Sequence, residues 1–221
     1  MLNSEGLPVR VVTGTAHPTS NFAIVSKPGT ELSVRDLKGK QVVGPKGTFL
    51  HQLLVAALEK EGMKESDVQF INRSIPKALS TILAGHADAA LVASSALIKA
   101  NKAGAKTIIN AEGLVEPTLV MTTTKQFVEE HLDIVKRVDK VYAESLQWMK
   151  DHPAETAEMG AKEHGISVED AKTLMERSHY FDKMTTKDLE DLKVNQKFLR
   201  DNGMMRNEVT VEELVLPVEM E

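Results

Sequence analysis

Residues 41–62 have the sequence QVVGPKGTFLHQLLVAALEKEG, and this stretch decides the fold class. Its opening β-branched run is typical of a short buried strand, and Gly44 ends it. The apolar residues that follow recur at the spacing of one helix face: Leu50, Leu53, Leu54, Ala57 and Leu58. Gly62 then stands where a helix commonly ends. The stretch therefore predicts a strand, a short loop and an amphipathic helix over residues 48–61.

The same alternation of strand and helix continues to residue 121. Short apolar runs predict strands at residues 68–71, 89–92, 107–109 and 118–121, with helices at 76–83 and 94–103 between them. Such alternation is typical of a mostly parallel sheet with helices on its faces. Two earlier β-branched runs, at residues 9–13 and 22–25, also predict strands. Residues 124–216 predict successive helices, so the expected fold class is α/β with a helical C-terminal region.

Composition excludes several classes of function. The net charge of −5 offers no basic field for a nucleic-acid backbone, so no nucleic-acid partner is expected. The absence of cysteine excludes thiolate nucleophiles and cysteine-ligated metals. The histidines show no HExxH or comparable spacing, so neither a metal nor a cofactor is expected. No apolar run of ~18 residues predicts a membrane span, and residues 1–6 lack the basic start and apolar core of a signal peptide.

The start of the predicted helix at Gly47, Thr48 and Phe49 is the first candidate ligand site. The first N–H groups of a helix have no partner within it, and the helix dipole adds about +0.5 charge there. Gly47 allows close approach to the backbone, so a carboxylate or sulfonate group would fit. The alternative is that the Thr48 hydroxyl only caps its own helix.

Other candidates follow neighbouring strands. Ser94 and Ser95 open a second helix after the strand at residues 89–92, with simple capping again the alternative. Gly14 and Thr15 follow the first strand, and Thr118 precedes the last one. All five are predicted ligand contacts. His17 and His51 are interpreted as surface residues rather than catalytic groups.

Five stretches, taken in order, resemble one family. They are SVRDLKGK at residues 33–40, VGPKGT at 43–48, ILAGHADA at 82–89, WMKDHPA at 148–154 and FLRDNG at 198–203. Their order over nearly the whole chain is similar to that of the periplasmic substrate-binding proteins of ABC importers for nitrate, sulfonates, taurine and thiamine precursors (NMT1/THI5-like, SsuA-like).

The resemblance implies a type II periplasmic binding protein fold with two lobes and mostly parallel sheets. Family members carry a further segment before the part like residues 6–12, so lobe one would be incomplete. Residues 1–26 would be its remnant with the first hinge strand, 27–116 would form lobe two, and 117–221 would form the second hinge strand and helices packing on lobe one.

The function implied by the resemblance is solute binding without chemistry. A small anionic or polar organic ligand, such as a sulfonate, nitrate or taurine, would be held between the lobes and delivered to a membrane permease. The location would be periplasmic, or extracellular and membrane-anchored. Two alternatives stay open: an enzyme on the same fold, like those of menaquinone or thiamine pathways, and a sensor or partner-binding module whose C-terminal helices dock another chain.

Overall fold

The computed structural model describes residues 8–205, 207 and 209–216, and the chain forms two compact units. Unit 1 comprises Met1–His17, Thr118–Met159 and His179–Glu221, and unit 2 comprises Pro18–Pro117 and Gly160–Ser178. Each unit is therefore built from separated parts of the chain.

The regular elements are numbered in chain order. The described strands are β1 (Val9–Ala16), β2 (Phe22–Ser26), β3 (Gln41–Gly44), β4 (Gln69–Asn72), β5 (Ala89–Ala93), β6 (Thr107–Asn110) and β7 (Leu119–Thr124). The described helices are α1 (Phe49–Lys60), α2 (Ile75–Leu83), α3 (Ser95–Lys102), α4 (Lys125–Glu130), α5 (Leu132–Asp151), α6 (Pro153–His164), α7 (Val168–Glu176), α8 (Thr186–Asp201) and α9 (Val211–Leu214). Short 3-10 turns lie at Thr19–Asn21, Arg35–Leu37 and Glu65–Asp67. Within these ranges, no helix is long and apolar enough to cross a bilayer.

Unit 2 is built on a five-stranded sheet in the order β4-β3-β5-β2-β6. The pairs β3–β4 and β3–β5 are parallel, whereas β2 is antiparallel to both β5 and β6. The four strands of the alternating segment thus share one direction, as expected, and β2 alone runs against them. The sheet is thus mostly parallel, as expected, and it is mixed only through β2, which precedes that segment in the chain.

The position of β2 follows from its burial. Ala23, Ile24 and Val25 are fully buried, so side chains on both faces of the strand are covered. On one face, Ile24 packs in a cluster with Leu50, Leu53 and the other apolar residues of α1, and on the other face Ala23 and Val25 pack with apolar residues of α2 and α3. β2 thus belongs to the sheet of unit 2, where it pairs with β5 and β6, and its role as a hinge crossing stays a prediction.

Unit 1 contains a two-stranded antiparallel sheet of β1 and β7. Val11 packs with Met184, Val211 and Val215, and Val12 packs with Val135 of α5. β1 continues to Ala16, beyond the predicted strand at residues 9–13, because β7 pairs with it as far as the Leu119–Ala16 pair.

The segment Gly160–Ser178 belongs to unit 2, although it was predicted to pack on lobe one with the other C-terminal helices. The buried Asn21 amide donates to the carbonyl oxygen of Leu174 and to Oγ of Ser178, both at 3.3 Å. Lys102 forms an ion pair with Asp170. These contacts join α7 to the sheet unit and explain the correction.

Candidate functional site

Three strand–helix junctions lie at one edge of the unit 2 sheet. β3, β4 and β5 are parallel neighbours, so their carboxyl ends meet at the same edge. From these ends the chain enters α1, α2 and α3 respectively. Ligands of open α/β sheets bind at such an edge. We call residues 45–48, 73–74 and 94–95 together the carboxyl-edge cluster.

The helices of this edge begin without a side-chain cap. Thr48, Ser74 and Ser94 occupy the N-cap positions, yet none of the three side chains accepts a hydrogen bond from its helix. In contrast, side chains at the N-caps of α4, α7 and α8 each accept such a bond: Thr124, Ser167 and Thr185. The Thr48 hydroxyl instead donates to the carbonyl oxygen of Pro45 at 3.0 Å. The alternative that this hydroxyl only caps α1 is therefore wrong.

The loop before α1 is held in a defined shape. Gly47 has a φ of 71°, which few residues with a Cβ adopt. The Lys46 N–H donates to Oδ1 of Asn72 at 3.0 Å, which ties the loop to the end of β4. The Gly47 N–H donates to Nδ1 of His51 at 3.2 Å. The loop thus presents its backbone to the edge with its conformation already set.

Ser94 has a strained backbone. Its φ of 53° with ψ of −129° lies in a region that residues other than glycine rarely occupy. The Ser94 N–H donates to the carbonyl oxygen of Asn21 at 2.8 Å, which fixes the junction between β5 and α3. Strain of this kind concentrates at binding and active sites.

The predicted contacts divide between the two units. Five of them lie at the carboxyl edge of the unit 2 sheet, where they follow the adjacent strands β3 and β5: Gly47, Thr48, Phe49, Ser94 and Ser95. The Phe49 side chain turns to the core and meets the Phe22 ring edge-on at 6.4 Å between centroids. Phe49 can therefore meet a ligand at this edge chiefly through its backbone.

The other three predicted contacts lie in unit 1. Gly14 is buried in β1 and pairs with Val120 of β7, and the carbonyl oxygen of Thr15 accepts from the Tyr142 hydroxyl at 2.9 Å. Thr118 precedes β7, and its hydroxyl is buried with no hydrogen-bond partner among the described residues. Their role as ligand contacts stays a prediction.

The junction between β4 and α2 was missed by sequence reasoning. Arg73 and Ser74 are exposed there, and Lys46 is exposed on the neighbouring loop. Two cationic side chains therefore stand near three uncapped helix starts. The signal was present, because Ser74 followed by Pro76 at the second helical position marks a helix start. What the sequence lacks is the strand order that places this junction beside Gly47.

The two histidines considered from the sequence, His17 and His51, are not fully exposed. His51 is fully buried rather than a surface residue. His17 is half-buried in unit 1, where its ring stacks on Phe181 at 4.3 Å and its Nε2 lies 2.8 Å from Oδ1 of Asp188. Among the residues that the structure describes, no group of three or more potential ligands could hold a metal ion.

Comparison with known proteins gives the family. The family described as "NMT1/THI5 like" matches residues 1–156. The chain belongs to this family. A protein of Bacillus subtilis (strain 168) that is named as an aliphatic sulfonates-binding protein is 29% identical over 143 residues, which are 63% of this chain and 43% of that protein. The taurine-binding periplasmic protein of Escherichia coli (strain K12) is 28% identical over 151 residues, 62% of this chain and 47% of that protein.

The NMT1/THI5-like chain thus spans about half the length of these relatives. Its fold is that of the alkanesulfonate-binding protein SsuA from Xanthomonas axonopodis pv. citri, solved bound to MOPS, with a TM-score of 0.84 at 18% identity over 96% of this chain and 75% of that one. The desulfurization enzyme DSZB has the same fold, with a TM-score of 0.76 at 14% identity over 95% of this chain and 77% of that one. The predicted fold class and family are both confirmed.

Proposed function

We propose that this chain binds a small organic anion of the sulfonate class at the carboxyl-edge cluster, without converting it chemically. The complete protein would act as the solute-binding component of an ABC importer, outside the cytoplasmic membrane, and would deliver its ligand to a membrane permease. The observation that carries the proposal is that α1, α2 and α3 all begin at one edge without side-chain caps.

Uncapped helix starts favour an anion because their N–H groups point outward with partial positive charge. A sulfonate has three acceptor oxygens for a single charge, so it can accept from more than one junction at once. Exposed Lys46 and Arg73 add positive charge to an otherwise acidic chain. The names of the two curated relatives, one for aliphatic sulfonates and one for taurine, support the same ligand class.

The ligand class is tested by calorimetry with a matched pair of probes. Ethanesulfonate and taurine carry the anionic group, whereas ethyl methyl sulfone has a similar size and no charge. We expect saturable binding of a sulfonate, weaker at high salt, and no binding of the sulfone. Absence of saturable binding by every sulfonate, taurine and nitrate in the panel would refute the proposal.

The site is tested with two glycines that flank the same helix. Gly47 and Gly62 share a φ of 71°, at the start and just past the end of α1. Alanine at either position costs about 1 kcal/mol of stability through the left-handed backbone. Only Gly47→Ala adds a Cβ where the ligand approaches, so only this variant is expected to weaken sulfonate binding. Equal sulfonate affinities of the two variants would mean that the ligand does not bind beside Gly47.

An enzyme on the same fold is the second candidate, because DSZB has this fold and is named an enzyme. The chain contains no cysteine, so such an activity would have to proceed without a thiol nucleophile. Incubation with sulfonates and sulfinates followed by mass spectrometry separates the two functions. Any product formed in proportion to the amount of protein would show that the protein is an enzyme and would refute binding without chemical conversion.

A further inference from the structure

His51 lies in the first turn of α1 and is fully buried. Its ring stacks on Phe70 of β4, with 4.7 Å between ring centroids and 13° between planes. Its Nδ1 accepts the N–H of Gly47 at 3.2 Å. A core histidine therefore contacts the backbone of the loop that begins the carboxyl-edge cluster.

The hydrogen bond to Gly47 defines the state of the ring. Because Nδ1 accepts a hydrogen bond from the Gly47 N–H, the neutral ring must carry its own proton on Nε2. Nε2 lies 3.1 Å from Oε1 of Glu65, close enough for attraction although the alignment falls short of a hydrogen bond. Protonation of Nδ1 would set two N–H donors against each other and break the contact with Gly47.

We propose that His51 is a positioning residue whose unprotonated Nδ1 holds Gly47, and so the backbone before α1, in the ligand-binding shape. This inference rests on the proposed function, since it concerns the same site. It makes ligand affinity depend on the protonation of a side chain that no ligand touches. Sulfonate binding is therefore lost on acidification, even though the sulfonate keeps its charge.

The charges around the ring indicate where this loss occurs. Burial lowers the pKa of His51 from its ordinary value of 6.5, and the nearby Lys46 lowers it further, whereas Glu65 opposes both effects. These two are the charged groups that face the ring among the described residues: Glu65 from the 3-10 turn Glu65–Asp67, and Lys46 from the loop. The ring is thus neutral at pH 7, and affinity falls only below about pH 6.5.

Two variants separate positioning from packing. His51→Asn keeps an acceptor, because its Oδ1 stands in for Nδ1, but loses the ring that stacks on Phe70. His51→Phe keeps a ring for stacking but loses the acceptor. A purely structural role predicts that His51→Phe is the better substitute in every measurement. The positioning role predicts the opposite order for ligand affinity.

The affinity for ethanesulfonate is measured by calorimetry from about pH 5 to about pH 8. We expect His51→Phe to bind at least about fivefold more weakly than the wild type at pH 7.5, the effect of one lost hydrogen bond, and His51→Asn to stay within about twofold of the wild type. The wild type should lose affinity below about pH 6.5, and His51→Asn should not. A higher affinity in His51→Phe than in His51→Asn, or identical pH profiles in wild type and His51→Asn, overturns the inference.

A second measurement uses only the wild-type protein without ligand, so it does not depend on whether a variant folds. Amide hydrogen exchange of the wild-type protein by NMR should show a protected Gly47 N–H at pH 7.5, with a ring proton on Nε2 of His51. On lowering the pH, the Gly47 protection should disappear as the ring titrates, after correction for the intrinsic exchange rate. Protection that persists once His51 is protonated overturns the inference, while failure of every sulfonate to bind overturns the proposed function alone.

Discussion

Gly14 lies directly beneath the ring of Phe181, so closely that a Cβ on Gly14 would stand 2.1 Å from Cε2 and 2.3 Å from Cζ of that ring. The ring is also stacked on His17, which limits its freedom to move aside. We expect Gly14→Ala to lower the free energy of unfolding by about 1–3 kcal/mol through overpacking. Urea denaturation measures this loss.

Gly160→Ala is the control for that substitution. Gly160 lies within α6, and a Cβ there would meet Ala171 at 3.8 Å, an ordinary contact distance. Alanine should raise stability by up to about 1 kcal/mol, since glycine is the weaker helix former. Equal effects of the two alanines would contradict the packing argument. A destabilised Gly14→Ala that binds sulfonate normally would make Gly14 a packing residue rather than a ligand contact.

Ser94→Gly should stabilise the protein while weakening its binding. Glycine adopts a φ of 53° without the cost of about 1 kcal/mol that a Cβ imposes, so the thermal midpoint should rise. Ser94→Ala keeps the strain and removes only the hydroxyl, so its stability should stay below that of Ser94→Gly. If the hydroxyl contacts ligand, both variants bind sulfonate more weakly in calorimetry. No stability difference between them would mean that Ser94 is not strained.

The stability of the protein should depend on pH through His51. Its pKa is lowered on folding, chiefly by burial, so between that lowered value and 6.5 the unfolded chain binds more protons than the folded one. Unfolding free energy therefore falls as pH drops below 6.5, with a slope of at most about 1.4 kcal/mol per pH unit. Urea midpoints of wild type and His51→Asn between about pH 5 and pH 8 measure the difference. Parallel curves would contradict this linkage.

Tyr142 should produce a dependence at the opposite end of the pH scale. Its hydroxyl is shared between the carbonyl oxygens of Thr15 at 2.9 Å and Phe181 at 3.2 Å. Burial, and then Tyr180 and Asp182, raise its pKa to about 12. Stability should be fully present below pH 10 and lost as pH rises from 10 towards 12.

Tyr142→Phe removes that dependence and lowers stability at pH 7 by about 0.5–1.5 kcal/mol. The loss should lie near the lower value, since the Thr15 carbonyl oxygen still accepts the Phe181 N–H at 3.1 Å. Absorbance of the ionised phenol follows the titration, because the variant leaves Tyr180 as the sole tyrosine. Ionisation of the Tyr142 phenol in the wild type near its ordinary pKa of 10 would contradict the raised pKa.

Local patterns were sufficient for the elements and for part of the site. The 3.6-residue periodicity predicted a helix at residues 48–61, and α1 spans Phe49–Lys60. Strand–helix alternation predicted the common direction of β3 to β6. The junctions at Gly47 and Ser94 were visible because glycine and serine at a strand end are local signals.

Long-range pairing was what local patterns could not supply. The apolar run of β2 does not show which sheet the strand joins, and only its pairing with β5 and β6 places it in unit 2. The helical pattern of residues 124–216 predicted a helix here, yet the unit that α7 joins depends on the Asn21 amide, 153 residues from Leu174. Gly47 and His51 are four residues apart, so their contact is local in the sequence. The burial of the His51 ring depends in part on Phe70 of β4, which the local pattern does not reveal.

The Asn21 contacts also bear on how the chain folds as it leaves the ribosome. Residues 18–117 emerge early, but the acceptors of the Asn21 amide, at Leu174 and Ser178, are translated much later. Until residues 160–178 have been synthesised, the part of unit 2 around Asn21 that they cover stays open to water, and residues 18–117 expressed alone would lack that cover permanently.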